Sequence, residues 1–315
     1  MKTKIPDELK ADLPQTTWGK ILTATPVVMT VVATMLAGLA SSEMTRAQYS
    51  RSLAAQQQSK AGDQWSFFQA KRLRGSMQRS TLDVLQSTTA LRPFDPTTLK
   101  QGGPAELSAL LDSPAGAPTL AALLEDKLPA IPAALAPDPR VKAALEVLES
   151  SKPETEITPF IEALNDPLLT EALRAAKDRV TALDVTLAPV NQAVDQIEKW
   201  LTKTSGNATD GTGVSRLRDF TAVRLRYTAA RYDAEARLNQ AVANVYELLV
   251  RRSNLTAERH HRRSVRFFIG MLAAQAAVIV STFSLAARKR SILWTLAAAA
   301  GLAAVAFAIY VYFYV

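Results

Sequence analysis

Apolar positions along this chain gather into three long uninterrupted runs and many short periodic ones. The first long run, "ILTATPVVMTVVATMLAGLA" at 21–40, holds no charged residue. The second, "FFIGMLAAQAAVIVSTFSLAA" at 267–287, has Gln275 as its most polar member. The third is "ILWTLAAAAGLAAVAFAIYVYFYV" at 292–315. About 20 helical residues rise about 30 Å, the depth of a bilayer's hydrocarbon core. Each run therefore predicts a transmembrane helix. Trp294 near one end of the third run and Tyr310, Tyr312 and Tyr314 near the other suit the membrane–water interfaces. Only "RKRS" separates the second and third runs, which predicts a tight hairpin. The first run has a second reading as a cleaved signal peptide, with Gly38 and Ala40 as its small-residue site. Its long apolar core and the preceding Asp7, Glu8 and Asp12 favour an uncleaved anchor. Runs two and three also admit a buried soluble hairpin, against which stand two adjacent charge-free stretches of this length. Small residues recur every fourth position at Thr30, Thr34 and Gly38, at Ala273, Ala277 and Ser281, and at Ala300, Ala304 and Ala308. That spacing lets helix backbones approach closely in lipid. It predicts spans packed on each other or on spans of other subunits.

Between the first two runs the pattern stays helical. From Ser41 to about Ala90 there is no proline, and "LRPFDPTT" then supplies a stop at Pro93 and Pro96. From 93 to 160 proline recurs between short apolar pieces such as "AELSALLD", "TLAALLED" and "VKAALEVLES", which read as short helices joined by turns. Two longer helices follow, over about 156–186 with a break near Pro167, and over 188–203. "TKTSGNATDGTGVS" reads as a loop. A last long helix begins near Ser215. Its residues Phe220, Val223, Tyr227, Ala230, Ala234, Leu238, Ala241, Val245 and Leu248 form a seam of heptad type. No strand alternation is sustained. The expected fold is an all-α membrane protein. It has an N-terminal tail (1–20), a first transmembrane helix (21–40), an outgoing stalk helix (41–92) and a Pro-rich helical head (93–214). A returning antiparallel stalk helix (215–266) and transmembrane helices at 267–287 and 292–315 complete it.

Charge adds orientation to this picture. The formal net charge is +8, and much of it flanks the apolar runs. Arg262, Arg263 and Arg266 precede the second run, and Arg288, Lys289 and Arg290 follow it, which points to lipid headgroups rather than nucleic acid as the partner. Lys2, Lys4, Lys10 and Lys20 lie in the tail. Short basic connections stay in the cytoplasm, so tail and hairpin loop are expected there and the long middle segment in the periplasm. The basic stretch 251–266 argues the other way, but long segments translocate largely regardless of charge.

The segment "AGDQWSFFQAKRLRG" carries three aromatics among charges and glutamines. Trp65 and Phe68 are three apart and Ala61 lies four before Trp65, so they share a face that the returning helix is expected to cover. Phe67 falls off that face and calls for a second contact, such as another subunit. Lys71, Arg72 and Arg74 suit either a solvated face or pairing with Asp233 and Glu235. Through Asp63, Trp65, Gln69, Ala70 and Lys71 this segment resembles the bacterial "domain of unknown function 4337" family, with Phe68 where tyrosine is expected. The resemblance implies an N-terminal membrane helix, this motif segment and a C-terminal pair of membrane helices in a bacterial inner membrane. It takes in "RYDAEARLNQAVANVYELL" but not the Pro-rich insert at 93–160, and it implies no activity.

Candidate chemistry is sparse. The chain has no cysteine, which removes disulfides and thiolate catalysis. "SGNATDGTG" lacks the lysine and the strand–turn–helix setting of a phosphate loop. His260 and His261 point about 100° apart on a helix and lie among arginines, which disfavours a shared metal. Glu154 and Glu156 fall in what reads as a solvated polar turn. The apolar runs hold no Asp, Glu, Lys, Arg or His, the usual mark of an ion pathway. The expectation is a protein without enzymatic activity or cofactor, in a structural or interaction role. Its partners are the bilayer and copies of itself or another membrane protein, with no nucleic acid. A sensor-like input module that signals through a separate protein is the second reading.

Overall fold

A computed structural model describes residues 17–97, 99, 105–131, 137–150, 152–205, 212–286 and 290–314. Among them every regular element is an α-helix: α1 (Thr17–Thr88), α2 (Ala105–Asp112), α3 (Gly116–Leu124), α4 (Pro139–Glu149), α5 (Glu154–Glu162), α6 (Asp166–Ser205), α7 (Thr212–Ala286) and α8 (Arg290–Tyr314). The residues divide into two compact units. One holds the chain up to Ala54 and from Ser253 onward, and the other holds Ala55–Arg252. The helices α1 and α7 contribute residues to both.

In the first unit α1, α7 and α8 pack through alanines together with a few larger side chains. Ala33, Leu36 and Ala40 of α1 meet Phe267 and Ala274 of α7 and Ala304 and Val311 of α8. Many other large apolar side chains point away. Val31, Met35, Ile279, Phe283, Leu296 and Leu302 are all more than half exposed. Only 22%, 33% and 17% of the most apolar 18-residue stretch of α1, α7 and α8 is buried. A water-soluble bundle turns its large apolar residues inward, and here many of them face outward. The three helices are long and apolar enough to cross a membrane. Pro26 lies inside α1, where it leaves the Leu22 carbonyl without its helical donor. Of the three expected small-residue stripes, Ala277, Ser281 and Ala304 are buried, but Thr30, Thr34 and Gly38 are exposed. Ala33, Leu36 and Ala40 pack in their place, with the Leu36 side chain beside Gly270.

In the second unit α7 is central. Part of its expected seam packs on α6. Phe220, Val223 and Tyr227 join Val190, Val194, Ile197 and Leu201 of α6, together with Phe94, Leu99 and residues of α2 and α3. Leu238 joins Leu183 and Leu187 of α6. A different row, Ala222 and Leu225, faces Leu82 of α1. A helix between two neighbours must be apolar on both sides, and a single 3–4 spacing captures only one of them.

The break expected near Pro167 falls between α5 and α6, but the boundary expected at 186–188 is absent. Instead of two helices, Asp166–Ser205 is one, with Pro189 inside it. Pro167 sits in the first turn, where a missing N–H costs nothing. Pro189 leaves the Val185 carbonyl without its helical donor, and Val185 is 69% exposed, so water can serve that carbonyl. Nor are Glu154 and Glu156 in a turn. They form the first turn of α5, where the positive end of the helix dipole favours them. Glu156 pairs with Lys152 at 3.3 Å and Glu154 with Arg251. The preceding helix α4 starts with Pro139 after Asp138, whose side chain accepts the Arg140 N–H at 2.9 Å. The Arg140 side chain and backbone hold that carboxyl below its usual range.

Candidate interaction surface around Trp65

The inner face of α1 in the second unit begins at Ala61, which is 1% exposed. Four residues on, the Trp65 indole N–H donates to Glu247 Oε1 of α7 at 2.7 Å. Phe68 meets Trp65 edge-on, with ring centroids 5.4 Å apart. Lys71 donates to Glu235 Oε2 and lies 5.4 Å from the Tyr232 ring centroid. Arg79 pairs with Asp233. Cations and the indole donor thus stand on α1, and carboxylates stand on α7. The α7 partners descend in number, 247 to 235 to 233, as α1 ascends. Gly75 lies between these pairs. A Cβ there would come within 3.2 Å of Asp233 Oδ1 and 3.6 Å of the Ala229 carbonyl oxygen, so the glycine permits a close approach of the two helices.

Beside Trp65 opens a cleft of about 510 Å3, lined among others by Glu149, Arg237, Gln240, Asn244 and Glu247. Its carboxylates are already engaged. Glu149 Oε1 accepts from Asn244 at 2.8 Å, and Glu247 holds the indole. Deeper in the core, Tyr227 donates its hydroxyl to Asn191 Oδ1, which also accepts from Arg231 Nη1, both at 2.8 Å. Burial pushes the Tyr227 phenol up to about 12, since the charged phenolate would be desolvated.

The motif residues therefore separate. Trp65, Phe68 and Lys71 face α7, whereas Asp63, Gln69 and Ala70 are exposed. Phe67 is 53% exposed, off the packed face as its position predicts. Of the basic residues considered for pairing, Lys71 does pair. Arg72 lies 5.8 Å from the Phe68 ring centroid, and Arg74 is exposed. At the headgroup positions, Arg262 is exposed and bonded to Glu258 at 3.0 Å, and Arg263 and Arg266 are half-buried. Arg288 and Lys289 lie outside the described residues, and Arg290 opens α8. In the first unit, His260 Nδ1 lies 2.6 Å from Glu43 Oε2, and Arg46 donates to Glu43 Oε1 at 3.1 Å. Sequence reasoning missed both Glu43 and Glu247. The available signal for Glu247 was its standing as the one charge in "AVANVYELLV". Among the described residues no group of three or more His, Cys, Asp or Glu side chains is placed to hold a metal ion.

These features define an all-helical protein with three helices able to span a membrane. Over residues 18–101 the chain matches the family described as "Domain of unknown function (DUF4337)", in agreement with the resemblance read from Asp63, Trp65, Gln69, Ala70 and Lys71. The matched region contains nearly all of α1 and ends before α2. No curated protein and no solved structure matches the chain.

Proposed function

We propose that this chain is a multi-pass protein of a bacterial inner membrane with a structural or interaction role rather than a catalytic one. The observation that carries this reading is the apolar exterior of α1, α7 and α8, on which many large apolar side chains face outward while alanines and a few larger residues pack between the helices. Past its apolar stretch α1 pairs with α7 as an antiparallel stalk, and the descending register of the Trp65, Lys71 and Arg79 pairs supports this. The Pro-rich helices α2 to α5, with α6, form a head that extends along α7, reaching Asn244 and Arg251 through Glu149 and Glu154. The half-exposed aromatics and cations around Trp65 are the surface offered to a partner. The basic tail and hairpin loop stay in the cytoplasm, and the middle segment is periplasmic.

Reporter fusions test this arrangement. With three crossings, reporters at Asp210 and at Val315 should both signal export. A cytoplasmic signal at Asp210 overturns the orientation. The cleft beside Trp65 favours the second reading, a sensor-like module whose ligand alters binding to a separate protein. That reading gains ground only if a small ligand changes which protein co-purifies in mild detergent.

A further inference from the structure

The second apolar run carries a polar group that a bilayer cannot satisfy. Phe268, Leu272, Gln275 and Ile279 follow one another at spacings of four, three and four on one exposed stripe of α7. Acyl chains can cover the three apolar members. They offer nothing to the Gln275 amide, whose side chain has no hydrogen-bond partner among the described residues. An unpaired amide in hydrocarbon is costly. Beside it runs a groove of about 450 Å3 lined by Thr30, Ala33 and Thr34 of α1 and Gln275, Val278 and Ile279 of α7. The Thr30 and Thr34 hydroxyls already donate to the carbonyls of Pro26 and Thr30, at 2.8 and 2.9 Å. These short side chains leave the groove open to a side chain from elsewhere.

We propose that Gln275 marks a two-fold interface, at which the α7 membrane segment of one copy of this chain lies against that of a second copy. The inference rests on the membrane reading above. A glutamine amide carries both donor and acceptor, so it is its own complement. Every copy of a membrane protein enters the bilayer in the same sense, and Gln275 therefore lies at the same depth in each. A parallel two-fold pair brings amide to amide, and a two-fold interface requires just such a self-complementary patch. Phe268 and Gln275 are seven apart, as are Leu272 and Ile279, which is a heptad seam with one polar position. A single polar residue of that kind fixes register and subunit number.

The chain's lack of cysteine makes the test direct. Full-length chains carrying Leu272→Cys, Ile279→Cys or, on the exposed face of α8, Leu302→Cys are oxidised in their own membranes. Disulfide-linked dimers are expected from Leu272→Cys and Ile279→Cys and not from Leu302→Cys. In mild detergent, Gln275→Leu should weaken dimerisation about three- to tenfold, the range for hydrogen bonds between membrane helices, and Gln275→Asn should weaken it less. Equal cross-linking at all three positions, none at any, or unchanged dimerisation of Gln275→Leu overturns the proposal. A monomer that stays in the membrane removes this inference and leaves the proposed function standing. A chain recovered without detergent sinks both.

Discussion

Trp65 is held by a hydrogen bond at one edge and an aromatic contact at another. Trp65→Phe keeps most of the packing and leaves the Glu247 carboxylate, half-buried on α7, without its donor. The expected loss is about 1–3 kcal/mol, read from thermal unfolding of the full chain in detergent. The same substitution in a Glu247→Leu background should cost clearly less, and strictly additive losses would show that the bond does not matter. Tyr227 gives a pH-dependent outcome. Its folded value, about 12, lies above the ordinary 10, so its contribution is intact below about pH 10. It is lost as pH rises toward 12, because the unfolded chain releases the proton first. Tyr227→Phe should flatten that alkaline loss by up to about 2–3 kcal/mol, at the cost of about 1 kcal/mol at neutral pH for the Asn191 bond. An unchanged alkaline slope would contradict the assignment. At this scale the face holding Ala61, Trp65 and Phe68 was legible, because three-and-four spacing is a local property. Glu247 was not, because it stands 182 residues from Trp65 and no local pattern links them.

The helices themselves were read well where one neighbour sets the pattern and poorly where two do. Pro114, Pro129 and Pro153 lie between the short helices α2 to α5 and Pro139 starts α4, whereas Pro118 and Pro159 lie inside α3 and α5. The seam through Phe220, Val223 and Tyr227 was genuine, but these residues pack on α6, since a row of spaced residues carries no label for what covers it. The boundary read at 186–188 is absent, because a proline such as Pro189 can kink a helix without ending it. The glycines make a paired prediction. A Cβ at Gly116 would lie 1.9 Å from the Leu111 carbonyl oxygen, so the turn between α2 and α3 would have to move. At Gly301 a Cβ meets only the flexible end of Met29, at 2.3 Å. Gly116→Ala should cost about 1–3 kcal/mol and speed proteolysis within 105–131. Gly301→Ala should be nearly neutral after a rotamer change in Met29. Equal effects of the two would contradict this account of the turn.

For the whole molecule, composition alone said little, since the apolar fraction is ordinary. The information lay in the distribution, with charge-free runs at 21–40, 267–287 and 292–315 and the charge excess beside them. What the sequence left open was which side of each run faces inward, and the inward choice of Ala33, Leu36 and Ala40 over Thr30, Thr34 and Gly38 depends on Phe267 and Ala304, far away along the chain. The central claim is that α1, α7 and α8 reside in lipid. Washing membranes that hold the full chain at alkaline pH and then adding mild detergent tests it most directly. The chain should remain with the membranes through the wash and enter solution only with detergent. Recovery of a folded, monodisperse chain in the wash would contradict the account.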